Sequence, residues 1–382
     1  MKTFVLFNLL AGILHYLFQV VASRHLPAQG FSELSSWLAY LSFAFIAASV
    51  MQYLSCFLPF PRNKVRIFAA VGAAFSIAVL FLPLLMPVGA LTMGALTGVL
   101  ACVMSVYLGQ AQVRLLFKGM AGANLLVGFS KLVLVYLPWI AQSGAALYTW
   151  AVFAGYLPGI LLLSLLLIRS HAIKTPVSSA DALGPAIWGT LILGTCAALL
   201  PQFELMFMEA TQSVDVFHGF ARLSLFYKGI FFAFLIFSQW LLPLQMRGIG
   251  VSGPKIWDRR LYLLPLALAG AAAVVGPPLA NRVLGWEVAP SSLQIFLSCW
   301  NMGLLTWIFL LLQELCARGK SRNAGLVLGA TFAIVPLQLL VQSGIEIYYV
   351  TALVWNSCTV LKVVSFLGAK SPGSSSLSNA IR

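Results

Sequence analysis

The chain has 382 residues, of which 61% are hydrophobic and only 8% are charged. Because a soluble domain carries about 25% charged residues, this composition excludes a soluble globular protein and indicates one that lies in a membrane. The net charge of +14 would suit a nucleic-acid-binding protein, but the positions of the basic residues explain it differently.

Apolar stretches recur along nearly the whole chain, and each is long enough for a helix of about 20 residues to cross a bilayer. Helices are expected because backbone groups in lipid must find their hydrogen-bond partners within the protein. The sequence therefore predicts an all-α integral membrane protein. Its twelve predicted spans, in chain order, are 3–22, 35–58, 67–87, 90–110, 121–140, 145–168, 186–207, 220–243, 261–281, 291–315, 323–341 and 345–367.

The connections between these spans alternate in charge. With the N-terminus in the cytoplasm, most of the 23 Lys and Arg residues fall on cytoplasmic connections, and only Arg24, Arg222 and Arg282 fall on external ones. This asymmetry is typical of the positive-inside rule. It predicts that both termini lie in the cytoplasm, and it removes the reason to expect a nucleic-acid partner; the functional interpretation below places the protein in the inner (plasma) membrane.

Two similar hexapeptides, GFSELS at 30–35 and GFARLS at 219–224, lie about half the chain apart. Each is expected at the external start of a span, the second and the eighth. This favours a duplication of a six-helix unit, whose two copies would be related by a pseudo-twofold axis parallel to the membrane normal. The predicted organisation is an N-terminal lobe at 1–170, a cytoplasmic linker at 171–184, a C-terminal lobe at 185–368 and a disordered cytoplasmic tail at 369–382.

Three stretches carry a resemblance to a known family. They are SRHLPAQGFSELSSWLAYLSF after the first span, PQFELMFMEATQSVDVFHGFARLSLFYKGIFFAFLIFSQWLLPLQ across the seventh and eighth, and PPLANRVLG before the tenth. They resemble the polysaccharide exporters, the O-antigen-type (Wzx-like) lipid-linked oligosaccharide flippases of the multidrug/oligosaccharidyl-lipid/polysaccharide (MOP) superfamily.

The first stretch matches part of the family pattern. That pattern consists of a basic residue, a Leu, a Pro-containing turn, an acidic residue and an aromatic-glycine pair. Gly and the aromatic residue are reversed here, and the acid is displaced to Glu33. Glu204 stands in span seven where the family commonly has Asp, and Pro243 is expected to close span eight. The other residues in similar places are Arg24, Leu26, Pro27, Gly30 and Phe31.

The resemblance implies a transporter that flips a polyprenyl-pyrophosphate-linked oligosaccharide to the external face by alternating access, for cell-surface polysaccharide synthesis. It implies no cofactor and no enzymatic step. The expected partners are the lipid-linked substrate, membrane lipids and a polysaccharide polymerase or glycosyltransferase complex. The energy source is either ion coupling or consumption of the substrate outside.

Charged residues inside a bilayer are expensive and usually face a cavity or a partner. Lys131 in span five and Lys228 in span eight belong to different halves, and we expect them to converge on one anionic head group. Glu204 in span seven is a candidate for a coupling-ion site or for a structural charge pair with Lys228 or Arg222.

Four further basic residues lie nearer the membrane surfaces. Arg24 and Arg222 are expected at the outer mouth of the substrate cavity, and Arg114 and Lys118 at the inner mouth. Lys suits phosphate as a point charge and Arg as a fork. An ordinary alternative for all four is that they snorkel to lipid head groups.

Other functions remain open. A cation-coupled drug exporter of the same superfamily, a MATE-like protein, would need an acidic cavity, and the first span has no acid. A non-transporting scaffold of an envelope-synthesis complex would tolerate loss of Lys131 and Lys228. An intramembrane polymerase would carry a long external loop, and no motif of a hydrolase, metalloprotease or nucleotide-binding enzyme is present. The six cysteines are expected to pack as small apolar residues, without disulfides or metal.

Overall fold

A computed structural model of the chain describes 2–57, 88–137, 144–170, 183–246, 264–286, 289–317, 320–333 and 345–368. The regular secondary structure in these residues is entirely α-helical. The helices are α1 Lys2–His25, α2 Ala28–Phe57, α3 Val88–Val113, α4 Phe117–Val135, α5 Ala145–Arg169, α6 Leu183–Thr211, α7 Val214–Met246, α8 Leu264–Arg282, α9 Ser292–Ala317, α10 Ser321–Phe332 and α11 Ile345–Gly368.

Each of these eleven helices corresponds to a predicted span. The remaining predicted span, 67–87, lies outside the described residues, as do the tail 369–382 and nearly all of the linker 171–184. Seven helices, α1 to α6 and α9, contain a segment long and apolar enough to cross a membrane. The chain is therefore a multi-pass membrane protein.

Four prolines lie inside continuous helices. Helix α5 runs through Pro158, α6 through Pro201 and α8 through Pro277 and Pro278. Helix α7 ends at Met246, three positions after Pro243, the residue expected to close the eighth span. Membrane helices tolerate proline because neighbouring helices and small local adjustments satisfy the freed backbone groups.

Helix pairings in the first half have counterparts in the second. Helix α2 packs on α3, and α3 on α5, as α7 packs on α9, and α9 on α11. Likewise α1 and α5 both contact α4, as α6 and α11 both contact α10. Between the halves, α2 contacts α6 and α7, and α1 contacts α7.

The two GF hexapeptides lie inside α2 and α7, because both helices begin several residues earlier than predicted. Their shared Phe, Leu and Ser residues are all buried: Phe31, Leu34, Ser35, Phe220, Leu223 and Ser224. The spacing of these residues, i, i+3 and i+4, places them on one face of a helix. The repeated hexapeptide is thus a repeated packing face, whereas the position that differs in charge, Glu33 in one and Arg222 in the other, lies off that face.

The contact between α2 and α6 joins the two halves along much of its length. Near one end, the Ser36 hydroxyl donates a hydrogen bond of 2.5 Å to the Glu209 carboxylate. Roughly 20 Å away along the axis, Val50 packs directly on Gly194, where an added Cβ would lie 2.6 Å from the Val50 backbone nitrogen. Small residues allow membrane helices to approach this closely.

We predict that Gly194→Ala destabilises the folded protein by about 1–3 kcal/mol, because the new methyl group overlaps backbone atoms that cannot rotate away. Thermal unfolding of the purified protein in detergent measures the loss. The matched control is Gly219→Ala, where no atom lies within 4 Å of the added Cβ. Equal melting temperatures for the two variants would contradict the close approach of α2 and α6.

Candidate functional site

Arg24 and Arg222, which come from different halves of the chain, line one cavity of about 340 Å³. Arg24 is exposed in the last turn of α1, where a positive charge complements the helix dipole. Arg222 is half-buried near the start of α7. The cavity wall is completed by Ser23, Leu26, Pro27, Ala28, Leu284, Gly285 and Trp286.

The turn after α8 places an aromatic ring against Arg222. Gly285 has a φ of +68°, a left-handed conformation that glycine adopts without strain. The chain then folds back, and the backbone N–H of Trp286 donates to the Ala280 carbonyl at 3.1 Å. As a result the Arg222 guanidinium carbon lies 5.4 Å from the centre of the Trp286 ring, and the two residues make a cation–π contact.

The cavity gathers all three stretches that carry the family resemblance. Residues 23–28 belong to the stretch after the first span, Arg222 to the second stretch, and Leu284 and Gly285 to PPLANRVLG. The structure thus brings Arg24 and Arg222, which were predicted together, to one cavity. Trp286 was not singled out from the sequence, because a lone Trp at the end of a span usually marks only the membrane interface.

A second, smaller cavity of about 20 Å³ is bordered by polar groups of α6, α9, α10 and α11. Glu204 is buried there and accepts hydrogen bonds from the Asn301 side-chain amide and, at 3.4 Å, from the Tyr349 hydroxyl. Asn356 in turn donates to the Asn301 side-chain oxygen at 2.8 Å. A cavity of this size holds one water molecule or one small cation.

Asn301, Tyr349 and Asn356 were missed in the sequence, which was searched for charged residues inside the spans. Neutral amides inside apolar spans were an available signal, because polar groups in lipid also need partners. Sequence alone does not tell which of them meet, since they are separated by up to 55 residues along the chain.

Lys131 and Lys228, which we expected to converge on one head group, line neither of the two cavities described above. Lys131 is buried, with its ammonium nitrogen 4.5 Å from the centre of the Tyr156 ring in α5. Lys228 is buried near Glu204, close enough for the two charges to interact. The Glu204 carboxylate accepts its hydrogen bonds from Asn301 and Tyr349, and its pairing with Lys228 stays a prediction.

Arg114 and Lys118, expected together at the inner mouth, have different environments. The Arg114 guanidinium donates to the Leu167 carbonyl at 3.2 Å and to the Ser170 hydroxyl at 2.6 Å. It therefore satisfies backbone and side-chain acceptors at the C-terminus of α5. Lys118 is exposed in the first turn of α4.

We predict that Asn301→Leu lowers the free energy of unfolding by about 2 kcal/mol, because Glu204 loses a donor and Asn356 loses its acceptor inside the protein. Thermal unfolding in detergent tests this. Asn281→Leu, at an exposed position of α8, controls for the change of residue type and should fall within about 0.5 kcal/mol of the parent. Similar losses in both variants would show that the cluster contributes nothing to stability.

No protein-family model matches the chain, and no curated protein matches it. Solved structures do. A mutant of the Vibrio cholerae MATE transporter VcmN superimposes with a TM-score of 0.65 at 17% identity, covering 94% of this chain and 93% of that one. The MATE transporter ClbM, in complex with Rb⁺, gives 0.59 at 16% identity, covering 96% and 93%.

A MOP superfamily transporter from Pyrococcus furiosus, described as having a binding pocket of reversed polarity that suggests a different function, gives a TM-score of 0.55 at 11% identity. It is matched over 97% of this chain and 93% of its own. At such low identity the likeness concerns the fold. The chain therefore shares the fold of MATE transporters of the MOP superfamily.

Proposed function

We propose that this protein is a membrane transporter that flips a polyprenyl-pyrophosphate-linked oligosaccharide from the cytoplasmic to the external face. The observation that carries the proposal is the cavity lined by Arg24 and Arg222. Its lining contains two guanidinium groups and no acidic side chain among the described residues. Two guanidiniums facing one space repel each other unless an anion lies between them, and their geometry matches phosphate oxygens.

The proposed architecture is two six-helix lobes, residues 1–170 and 185–368, related by a pseudo-twofold axis parallel to the membrane normal. The repeated helix pairings and the shared buried face of the two GF hexapeptides support this duplication. The two lobes would rock about the space between them, in the inner membrane and with both termini in the cytoplasm. No bond of the substrate is made or broken, and a polymerase or glycosyltransferase complex is the proposed downstream partner.

The charge of the cavity distinguishes a flippase for an anionic substrate from an exporter of cationic drugs. In the similar transporter from Pyrococcus furiosus, reversed polarity of the binding pocket is described as suggesting a different function. By the same reasoning, a basic cavity in this chain favours an anionic substrate. The lipid tail would stay in the bilayer while the diphosphate and the first sugars occupy the cavity.

A second candidate is cation-coupled drug export, and one observation favours it. Glu204 is a buried acid beside a cavity of about 20 Å³, and the similar transporter ClbM was solved in complex with Rb⁺. In the flippase proposal the same carboxylate would serve as the coupling-ion site. In the exporter it would act together with a cationic substrate.

We predict that the double variant Arg24→Ala/Arg222→Ala loses roughly tenfold or more of its transport rate, because each deletion removes charged hydrogen bonds to the diphosphate. The assay uses purified protein in liposomes and a fluorescent polyprenyl-diphosphate oligosaccharide. Arg282→Ala is the matched control, since Arg282 is exposed at the end of α8 and is the remaining arginine predicted to lie on the external side.

Unimpaired transport by the double variant at normal folded yield would contradict the proposed role of the arginines. Transport of a cationic dye, with none of the diphosphate, would replace the flippase by the drug exporter. A scaffold would be favoured if the protein transports neither the diphosphate nor the dye and if the Lys131→Ala/Lys228→Ala variant still assembles an envelope complex normally.

A further inference from the structure

Two residues that line the arginine cavity each carry an N–H donor without an acceptor. The Nε–H of Arg222 and the indole Nε1–H of Trp286 are both buried, and neither finds a hydrogen-bond partner in the part of the chain that the structure describes. Trp286 is only 4% exposed. A buried donor without a partner is unfavourable by about 1–3 kcal/mol, so native proteins rarely leave two beside each other.

The two donors are held in place together. Trp286 is fixed by the turn at Gly285 and by edge-to-face contact with Phe226, whose ring centre lies 6.0 Å away. Arg222 stacks on the Trp286 ring. Phe226 is one helical turn from Arg222 on α7, so a single turn of this helix carries the guanidinium and supports the indole. A rigid pair of donors of this kind is suited to receive a ligand.

The chemistry of the missing acceptor follows from the charges around it. Arg24 and Arg222 are both cationic, which excludes a metal ion and makes a neutral carbonyl a weak ligand compared with an anion. A cavity of about 340 Å³ is large enough for a phosphate or a diphosphate. Hydrogen bonds from an arginine to a phosphate are charge-assisted and stronger than those to neutral acceptors.

We propose that Arg24, Arg222 and Trp286 form an oxyanion subsite that binds one phosphate group of a diphosphate ester through the guanidinium groups and the indole N–H. This inference deepens the proposed function, because the same cavity would hold the head group of the lipid-linked substrate. The Nε–H of Arg222 and the indole N–H of Trp286 both donate to the bound anion, so each donor gains the acceptor that it lacks.

The test measures binding of inorganic pyrophosphate to the purified full-length protein in detergent, by calorimetry at constant ionic strength. Trp286→Phe keeps an aromatic ring beside Arg222 and removes the N–H, so we expect binding about tenfold weaker. Trp188→Phe, at a position 63% exposed in α6, should bind as the parent does. Arg222→Lys, which keeps the charge and removes the Nε–H, should also weaken binding.

A short-chain prenyl diphosphate and acetate complete the set of probes. The subsite is supported if both diphosphates bind, if Trp286→Phe weakens their binding and if acetate binds much more weakly. If the prenyl diphosphate binds more tightly than pyrophosphate, the natural ligand of the subsite is a lipid diphosphate rather than a free anion. Equal affinity of pyrophosphate for the parent and Trp286→Phe would overturn the subsite, as would no binding. In those cases, loss of liposome transport in the arginine double variant would leave the proposed function standing. Trp286-dependent binding without any diphosphate transport would instead retain the subsite and overturn the flippase.

Discussion

A bilayer core contains no water, so every polar group placed there must find its partner within the protein. The described backbone is helical for this reason, and several serine and threonine side chains also bond within their own helices. Ser42 donates to the Ala39 carbonyl and Thr306 to the Met302 carbonyl, one turn earlier in their own helices. The Arg114 guanidinium donates to the Leu167 carbonyl at the end of α5, where carbonyls have no partner within the helix. A residue first considered for substrate binding thereby has a role in closing a helix.

The same constraint separates the two polar regions of the molecule. Around Glu204, side chains of three helices form a buried hydrogen-bonded cluster beside a small cavity, and the Asn356 side-chain oxygen is an acceptor without a partner among the described residues. Around Arg222 and Trp286 the groups without partners are donors, and the adjoining space is much larger. The two regions therefore differ in the kind of guest that they suit: a small donor or cation beside Glu204, and an acceptor beside Arg222 and Trp286.

Two of the contacts between the halves differ in character. Where α2 meets α6, a glycine allows backbone contact and a serine hydroxyl reaches an acid across the interface. Where α1 meets α7, two arginines border a cavity. The side chains thus make the first contact tight and leave space beside the second.

The amino-acid sequence was enough to predict the membrane setting and the number and order of the helices within the described residues, because these depend on local hydropathy. It also indicated Arg24 with Arg222. The packing of helices was needed to show that Lys131 and Lys228 line neither of the two cavities, that the GF hexapeptides share a buried face, and that Asn301, Asn356 and Trp286 belong to the two polar regions. Those outcomes depend on which faces of distant helices meet. In a chain whose spans are apolar on nearly all sides, hydropathy carries almost no information about facing, so packing contacts between whole helices decide it.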